Sequence, residues 1–320
     1  MSEVTVSVIT TAYNHEKYIR QTIEGIVSQK ADFKFELLIN DDCSTDGTAD
    51  IIREYEARYP DIIKAIYQTG NQYSKGVNIP VMLESKARGA YVAFCEGDDY
   101  WCDENKLALQ VAKLIEHPEC AACVHQTMEL NCLTGEKRAI AGRDSDGIIG
   151  FEDVIKGGNK AFQMSSLLVK REALHNTRFR ELDGVSQVGD YPLSIALSLS
   201  GGIYYINRSM SVYRCFSSGD SWTLTIKQHP ELAVRHNQEM VKLLQITDRL
   251  TEHRYADIIG QRITAHQYDI LKNQNSKAVF KDKRYAELFA SETTYMKCLL
   301  MVKAYCPAGL WKLLKKLKNG

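Results

Sequence analysis

The sequence predicts an α/β fold, in which a mostly parallel sheet is flanked by helices and followed by a helical C-terminal region. Short apolar runs alternate with amphipathic helical patterns three times within about the first 100 residues, the order expected of parallel strands joined by helical crossovers. From about residue 229 onward the pattern is helical. The composition agrees with a folded globular chain, since 44% of the 320 residues are hydrophobic and 25% are charged.

The first four predicted strands lie within the first 100 residues. Residues 4–10 alternate β-branched and small side chains, which is typical of a strand, and residues 16–30 place apolar side chains at helical spacing. The second and third strands are the runs FELLIND and IIKAIYQ, and their helices are STDGTADIIREYEARY and NIPVMLESKARG. The fourth strand, AYVAFC, leads directly into acidic residues. We expect the carboxyl ends of these strands to meet at one edge of the sheet.

The remaining elements are less regular. Residues 104–118 predict a helix and residues 120–130 a strand, while residues 138–159 are rich in Gly and Asp and are expected to form a loop with one short helix. A strand running into a helix, a capped helix and a pair of strands follow, in QMSSLLVKREAL, VGDYPLSIALSLSG and IYYINRSMSVYRCF. We place one domain over residues 1–225 and a helical region over residues 226–320.

Charge and cysteine usage bear on partners and compartment. The 40 basic and 40 acidic residues balance, so we expect no nucleic acid partner. The nine cysteines show no regular spacing, which favours free thiols in a reducing compartment. The N-terminal segment lacks the features of a signal peptide, and no apolar run reaches the ~18 residues of a membrane-spanning helix. These observations predict a cytoplasmic protein.

Acidic side chains crowd two of the predicted strand ends. Glu96, Asp98 and Asp99 follow the fourth strand, and Asp41 and Asp42 follow the second. Clustered carboxylates repel one another unless a cation or water shares them, and Mg²⁺ is commonly held by one or two carboxylates together with substrate phosphates. The two ends together indicate a site for a metal-bound nucleotide. Taken alone, residues 96–99 are also explained by a solvated acidic turn followed by a helix cap.

Three segments resemble, in order, the motifs of family 2 glycosyltransferases with the GT-A fold: SVITTAYNHEKYIRQTIEGIVSQ, ELLINDDCSTDGTADII and AFCEGDDYW. The resemblance covers roughly two-thirds of the chain, up to the segment MSVYR, and is to enzymes of the bacterial surface-polysaccharide type. It implies a Rossmann-like sheet and an inverting, metal-dependent transfer of a sugar from a nucleotide donor to an acceptor hydroxyl. A UDP-sugar donor, a divalent ion (Mn²⁺ or Mg²⁺) and a saccharide or lipid-linked saccharide acceptor are expected. The alternatives are a nucleotidyltransferase and a non-catalytic nucleotide-sugar-binding protein.

The resemblance also implies roles for individual residues. Metal binding is carried over to Asp98, and nucleotide binding to Thr11, Tyr13, Asn14, Asp41, Asp42 and Glu96. Tyr13 is expected near the uracil and Asp41 as an acceptor from the base edge, while Asp42 is equally explained as a helix cap. Glu96 stands where the family commonly has Asp, so its longer side chain is expected to reach the ribose or a metal-bound water. Asp99 matches an additional acid of the motif and is a candidate for diphosphate or acceptor contact.

A catalytic base is expected in the segment VGDYP, which resembles the family motif that contains this base. Asp190 would accept the proton of the acceptor hydroxyl, although Asp with Pro192 in the first turn also makes a favourable helix cap. Glu181 and Asp183 are the alternative bases. The segment YRCFSSGDSW resembles a later family motif in which Phe216 replaces the usual His. Its candidates for diphosphate or acceptor contact are Arg214, Ser218, Ser221 and Trp222, the last also being explained as a core residue.

The C-terminal tail is basic and amphipathic. It carries five lysines from Lys303 onward and no acid, and its apolar residues fall on one helical face: Leu310, Trp311, Leu313, Leu314 and Leu317. Such a helix lies on an anionic membrane surface or packs on the protein with a solvated basic face, and the sequence leaves both open. The first alternative predicts peripheral contact with the inner face of the membrane.

Overall fold

The computed structural model describes residues 3–140, 142–158, 162–175, 181–182, 184–186, 189–217 and 229–305. The chain divides into two compact units, which are Met1–Glu181 with Leu193–Ser221, and Leu182–Pro192 with Trp222–Gly320. The second unit therefore includes a short segment that the predicted division at residue 225 assigns to the first domain.

One sheet in the first unit contains ten strands among the described residues. The strands are β1 Val4–Ala12, β2 Lys34–Asp41, β3 Ile63–Tyr67, β4 Tyr91–Phe94, β5 Tyr100–Trp101, β6 Ala122–Asn131, β7 Lys137–Ala139, β8 Gly147–Ile149, β9 Leu168–Lys170 and β10 Ile203–Cys215. Their spatial order is β3-β2-β1-β4-β9-β6-β10-β5, with β7 beside β6 and β8 beside β10.

The four N-terminal strands of the sheet run parallel to one another, as the alternation of strands and helices predicts. Strand β9 then runs antiparallel between β4 and β6, and β6 pairs in parallel with β10. The sheet is thus parallel on one side and mixed on the other. The predicted α/β class, with helices flanking a sheet, is confirmed.

Seven α-helices precede residue 201 in the described part of the chain: α1 Ile19–Val27, α2 Thr48–Arg58, α3 Ile79–Glu84, α4 Lys106–Glu116, α5 Phe151–Gly157, α6 Arg171–Leu174 and α7 Asp190–Ser200. In α1, Ile19, Ile23 and Ile26 recur at helical spacing and are buried. They share one core with strand residues such as Val8 and Ile39. Because burial of each such side chain is worth about 1.5–3 kcal/mol, this spacing determines which face of the helix meets the sheet.

Strand β10 differs from the expected pair of strands. It continues as one strand of 13 residues, with an irregularity in its pairing to β6 between Ile206 and Ser211. At this irregularity the backbone N–H of Asn207 donates a 2.8 Å hydrogen bond to Oδ1 of Asp146. Asn207, which is left out of the hydrogen-bond ladder with β6, thus has a side-chain acceptor for its backbone N–H, and β10 continues through the irregularity without a turn.

The second unit contains the helices predicted for the C-terminal region, and this prediction is confirmed. They are α8 Pro230–Leu250, α9 Ala256–Asn273, α10 Ala278–Lys281, α11 Ala286–Ser291 and α12 Thr294–Tyr305. The last four helices pack around a small core of Tyr268, Val279, Tyr285 and Leu300. Across the described residues, none of the helices has both the length and the apolar character needed to span a bilayer.

Candidate active site

Three parallel strands end side by side at the edge where the acidic motifs were predicted to meet. Ala12 at the end of β1 pairs with Asp41 at the end of β2. On the other side of β1, the backbone N–H of Gly97 donates a 2.9 Å hydrogen bond to the carbonyl of Thr11. The loop that carries the acids after β4 is therefore held directly against the end of β1.

Asp41 is buried and offers an acceptor that no described group uses. Its Oδ2 accepts a 3.2 Å hydrogen bond from the backbone N–H of Ser44, whereas its Oδ1 is buried without a partner. The neighbouring Asn40 Nδ2 and Thr10 Oγ1 are also buried without a partner. Buried polar atoms are normally paired, so Oδ1 of Asp41 is an acceptor available to a donor that the described residues do not provide.

Asp42 has a different environment from Asp41. Its Oδ1 accepts a 2.8 Å hydrogen bond from the backbone N–H of Gln72, and its Oδ2 accepts one of 3.0 Å from that of Tyr73. The side chain thereby fixes the loop after β3, rather than capping α2. Contact between Asp42 and a nucleotide stays a prediction.

The end of β1 is tied to the loop after β2 through Asn14. Its backbone N–H donates a 2.9 Å hydrogen bond to Ser44 Oγ, and its Oδ1 accepts one of 2.8 Å from the backbone N–H of Thr45. Asn14 adopts a left-handed backbone with φ of 55°, a conformation that Asn tolerates better than most residues. Tyr13 beside it keeps a ring that is 44% exposed, so an aromatic face is available next to Asp41's strand.

The three acids after β4 differ in exposure. Glu96 is exposed, Asp98 is half-buried and Asp99 is buried. The Asp99 Oδ1 accepts a 2.9 Å hydrogen bond from the backbone N–H of Arg214. Desolvation, together with the nearby charge of Asp98, raises the pKa of Asp99 well above its ordinary value. Asp99 therefore acts inside the fold, as a partner of the Arg214 backbone.

Asp98 is the acid best placed to hold a divalent ion. Its Oδ2 accepts a 2.7 Å hydrogen bond from Ser217 Oγ. Within the described ranges, no three His, Cys, Asp or Glu side chains lie close enough together to form a metal site by themselves. A site with one or two carboxylates completed by substrate phosphates is nevertheless what Mg²⁺ and similar hard ions favour, and Asp98 with the exposed Glu96 fits it.

Arg214 is buried beside the acidic loop. Its guanidinium donates hydrogen bonds to the backbone carbonyl of Asp98 and to Oε1 of Gln21. It also lies 4.9 Å from the ring centroid of Tyr18 and 4.5 Å from that of Tyr100. These contacts make Arg214 a support of the loop, and its predicted contact with a diphosphate stays a prediction.

Sequence reasoning missed several residues of this site. Tyr18 lies in the segment predicted to form the first helix and had no role in the site, and Ser217 lies in the motif-like segment YRCFSSGDSW but was not among its candidate residues. His15 also lies here: its Nδ1 is buried without a described partner, and a Cβ added at Gly97 would lie 2.7 Å from that atom. The absence of a side chain at Gly97 thus lets the imidazole pack against the loop. Desolvation lowers the pKa of His15, which keeps this ring neutral at pH 7.

Asp190 belongs to the second unit and is the first residue of α7. The residue keeps exposed surface, although enough protein surrounds its carboxyl group for partial desolvation to raise the pKa of that group. Glu181 is also exposed. Asp183, Ser218, Ser221, Trp222 and the apolar residues of the tail lie outside the described residues. The roles predicted for all of these side chains stay predictions.

Comparison with known proteins gives one family model, "Glycosyl transferase family 2", which matches residues 7–176. An uncharacterised protein of Mycobacterium tuberculosis is 45% identical over 120 residues, which are 38% of this chain and 34% of that protein. The putative teichuronic acid biosynthesis glycosyltransferase TuaG of Bacillus subtilis is 40% identical over 36% of this chain and 44% of its own length. The matches therefore span less than half the length of these relatives.

A third relative is the Escherichia coli protein WfaP, named as a UDP-Glc:alpha-D-GlcNAc-diphosphoundecaprenol beta-1,3-glucosyltransferase. It is 36% identical over 30% of this chain and 36% of its own length.

Two solved structures share the fold at low sequence identity. Staphylococcus aureus TarS 1–349 in complex with UDP-GlcNAc aligns with a TM-score of 0.56 and 15% identity, over 94% of this chain and 87% of that one. The mannosyltransferase PcManGT from Pyrobaculum calidifontis, in complex with GDP-Man and Mn²⁺, aligns with a TM-score of 0.54 and 18% identity, over 99% and 85%. At this identity the likenesses show the fold alone, and that fold is similar to the GT-A fold of glycosyltransferases.

Proposed function

The chain belongs to glycosyl transferase family 2, and from this membership we propose that it is an inverting, metal-dependent glycosyltransferase that uses a nucleotide-sugar donor. The observation that carries the proposal is the buried, unpartnered Oδ1 of Asp41, at the same sheet edge as the carboxylate of Asp98. One acid is arranged to accept a hydrogen bond from a base, and the other remains half-exposed to hold an ion.

The favoured donor is a UDP-sugar. The uracil ring carries an N–H on its pairing edge, and Oδ1 of Asp41 would accept this hydrogen bond without displacing an existing partner. The exposed ring of Tyr13 would lie near the base, with Thr11 and Asn14 completing the pocket. The complex of TarS with UDP-GlcNAc supports this donor class for a protein of similar fold.

Asp98, helped by Glu96, would hold Mn²⁺ or Mg²⁺. When bound, such an ion neutralises the charge that develops on a departing diphosphate. The Mn²⁺ in PcManGT supports a divalent ion in this fold. The chain's own contribution is to orient Asp98 through the hydrogen bond from Ser217 and to keep Asp99 inside the fold.

Asp190 is proposed as the general base for the acceptor hydroxyl. Partial desolvation raises the pKa of its carboxyl group, which makes it a stronger base than an ordinary Asp. A single displacement on the anomeric carbon would invert its configuration, so an α-linked donor would give a β-linked product.

The proposed acceptor is a saccharide or a lipid-linked saccharide, transferred in the synthesis of a polysaccharide or glycoconjugate. The names of TuaG and WfaP support this class of acceptor. A lipid-linked acceptor would place the enzyme in the cytoplasm, at the inner face of a membrane.

A donor screen tests the proposal directly. Thermal unfolding is followed with Mn²⁺ and a panel of UDP-, GDP- and dTDP-sugars, and the stabilising donors are then assayed for nucleotide release with saccharide acceptors. Stabilisation by UDP-sugars, followed by transfer with inversion, would support the proposal. Tight UDP binding without turnover of any donor would instead indicate a nucleotide-sugar-binding protein.

A further inference from the structure

The end of β10 and the residues directly after it form several hydrogen bonds with the acidic loop. The backbone N–H of Arg214 donates to the Asp99 carboxyl, and its guanidinium donates to the carbonyl of Asp98. Three residues later, Ser217 Oγ donates a 2.7 Å hydrogen bond to Oδ2 of Asp98. The proposed metal ligand is therefore held through both its backbone and its side chain by residues more than 100 positions away along the chain.

Ser217 is itself held in place. Its carbonyl accepts a 2.9 Å hydrogen bond from the hydroxyl of Tyr18. The preceding Phe216 has a left-handed backbone with φ of 61°, which is uncommon and costly for a bulky side chain. This turn bends the chain after β10, and such strain persists only where surrounding contacts determine the conformation.

We infer that Ser217 is a positioning residue for the metal ligand Asp98, and that Tyr18 fixes Ser217 for this purpose. The inference rests on the proposed function, because it takes Asp98 as the ligand. The serine hydroxyl uses Oδ2, and no described residue hydrogen-bonds Oδ1, so the carboxylate keeps one oxygen for an ion. Hydrogen bonds to a ligating carboxylate orient it, and their loss typically costs 10–100-fold in metal affinity.

The contacts of Ser217 indicate that it orients Asp98 for the metal ion and does not compete with the ion for that carboxylate. A serine that competed with the ion would have to leave before metal could bind, and its removal would tighten binding. The anchoring of Ser217 by Tyr18, and the burial of Arg214 between Tyr18 and Tyr100, hold the turn in one position. Because the Ser217 hydroxyl is fixed on one oxygen of the Asp98 carboxylate, it orients the other oxygen. Removal of this hydroxyl should therefore weaken binding of the metal ion.

The test measures Mn²⁺ binding by the full chain, using the electron paramagnetic resonance signal of free Mn²⁺, with and without UDP. Ser217→Ala should raise the Mn²⁺ dissociation constant about 10-fold or more. Ser217→Thr, which keeps the hydroxyl, should restore most of the affinity. Tyr18→Phe should weaken binding in the same direction. Ser28→Ala, at an exposed serine of the same unit, is the matched control and should bind as the unmodified chain does.

The outcomes separate this inference from the proposed function. If the unmodified chain binds Mn²⁺ and Ser217→Ala binds it equally well or more tightly, the positioning role is wrong while the metal site stands. If the unmodified chain binds no Mn²⁺ even with UDP, the metal part of the proposed function fails and the inference fails with it. Melting temperatures of all variants within ~2 °C of one another would exclude unfolding as the cause of a lost affinity.

Discussion

The ammonium group of Lys106 lies over the indole ring of Trp101, with Nζ 4.0 Å from the ring centroid. Lys106 is fully buried, and the only described hydrogen bond of its side chain is to Oε1 of Gln110 at 2.7 Å. Burial of this amine lowers the pKa of Lys106 to about 7. Trp101 lies in β5, which directly follows the acidic loop. The contact between Lys106 and Trp101 therefore holds the strand in which this loop ends.

The lowered pKa of Lys106 should make the free energy of unfolding depend on pH. Because its pKa is lower in the folded chain than the usual 10.4, the unfolded chain binds more protons between pH 7 and 10. The free energy of unfolding should therefore rise with pH in this window, by up to about 1.4 kcal/mol per unit. Below pH 7 this slope should disappear, because the amine is protonated in both the folded and the unfolded chain and its destabilising effect is then complete. In Lys106→Met this slope should vanish. Chemical denaturation of both chains at pH 7, 8 and 9 checks it, and parallel curves would contradict the assignment.

Asp41 and Asp42 should respond differently to the same change. Asp41→Asn should weaken UDP binding at least 10-fold, because the amide replaces the acceptor proposed for the base with a less basic or repelling group. Its stability should hardly change, since Oδ1 has no partner to lose. Titration calorimetry with UDP and Mn²⁺ measures the first effect.

Asp42→Asn serves as the comparison for Asp41→Asn. Both oxygens of Asp42 accept backbone hydrogen bonds from the loop after β3, so loss of one acceptor should cost about 1–3 kcal/mol of stability. A variant of Asp42 with unchanged melting temperature and lost UDP binding would reverse the two roles.

Asp190→Asn should reduce transfer by about 10²–10⁴-fold, the usual size of a general-base effect, while donor binding is retained. In the unmodified chain, the rate should fall as pH decreases through the raised pKa of Asp190, above the ordinary value near 3.9. The acid limb of the pH–rate profile should disappear in the variant. Near-normal transfer by a variant that still binds UDP would show that another group is the base.

The last described helix should take part in membrane contact. Tyr295, Met301, Val302 and Tyr305 of α12 are 68%, 43%, 48% and 58% exposed, and recur on one helical face. Lys277 Nζ lies 4.3 Å from the ring centroid of Tyr305, so positive charge flanks this apolar face. We expect the chain to sediment with vesicles containing anionic phosphatidylglycerol, and much less with phosphatidylcholine alone.

Substitutions on this face test the contact. Val302→Glu combined with Met301→Glu should remove most of the vesicle binding, while Leu133→Glu, at a residue 74% exposed in the other unit, should not. Equal sedimentation of all three chains would contradict a role for α12. A concentration-dependent dimer that the double variant abolishes would show that the face binds a second copy instead.

The sheet edge that carries the candidate site could be predicted from the sequence because its elements are local. A strand followed by acids and a helix is readable from residue order alone, and this pattern predicted that the strand ends carrying Asp41 and Asp98 meet at one edge. The same logic gave the helical C-terminal region. It failed for β10, where pairing with β6 carries the strand through an irregularity that local sequence reads as a turn.

The different hydrogen bonding of neighbouring acids could not be predicted from local sequence. Asp41 and Asp42 are adjacent and both buried, yet only the second has both oxygens bonded by a distant loop. Asp98 and Asp99 are likewise adjacent, yet Asp99 turns inward to the backbone of Arg214.

By itself, the sequence determined the fold class, the family and the sheet edge that carries the candidate site, because apolar periodicity and the order of short motifs are properties of neighbouring residues. Only the tertiary structure decided which oxygen of each acid is bonded, and that Ser217, Tyr18 and Arg214 support the acidic loop. Those contacts join residues 100 to 200 positions apart, and burial and hydrogen bonding at such separations depend on how the strands pair, which no local pattern records.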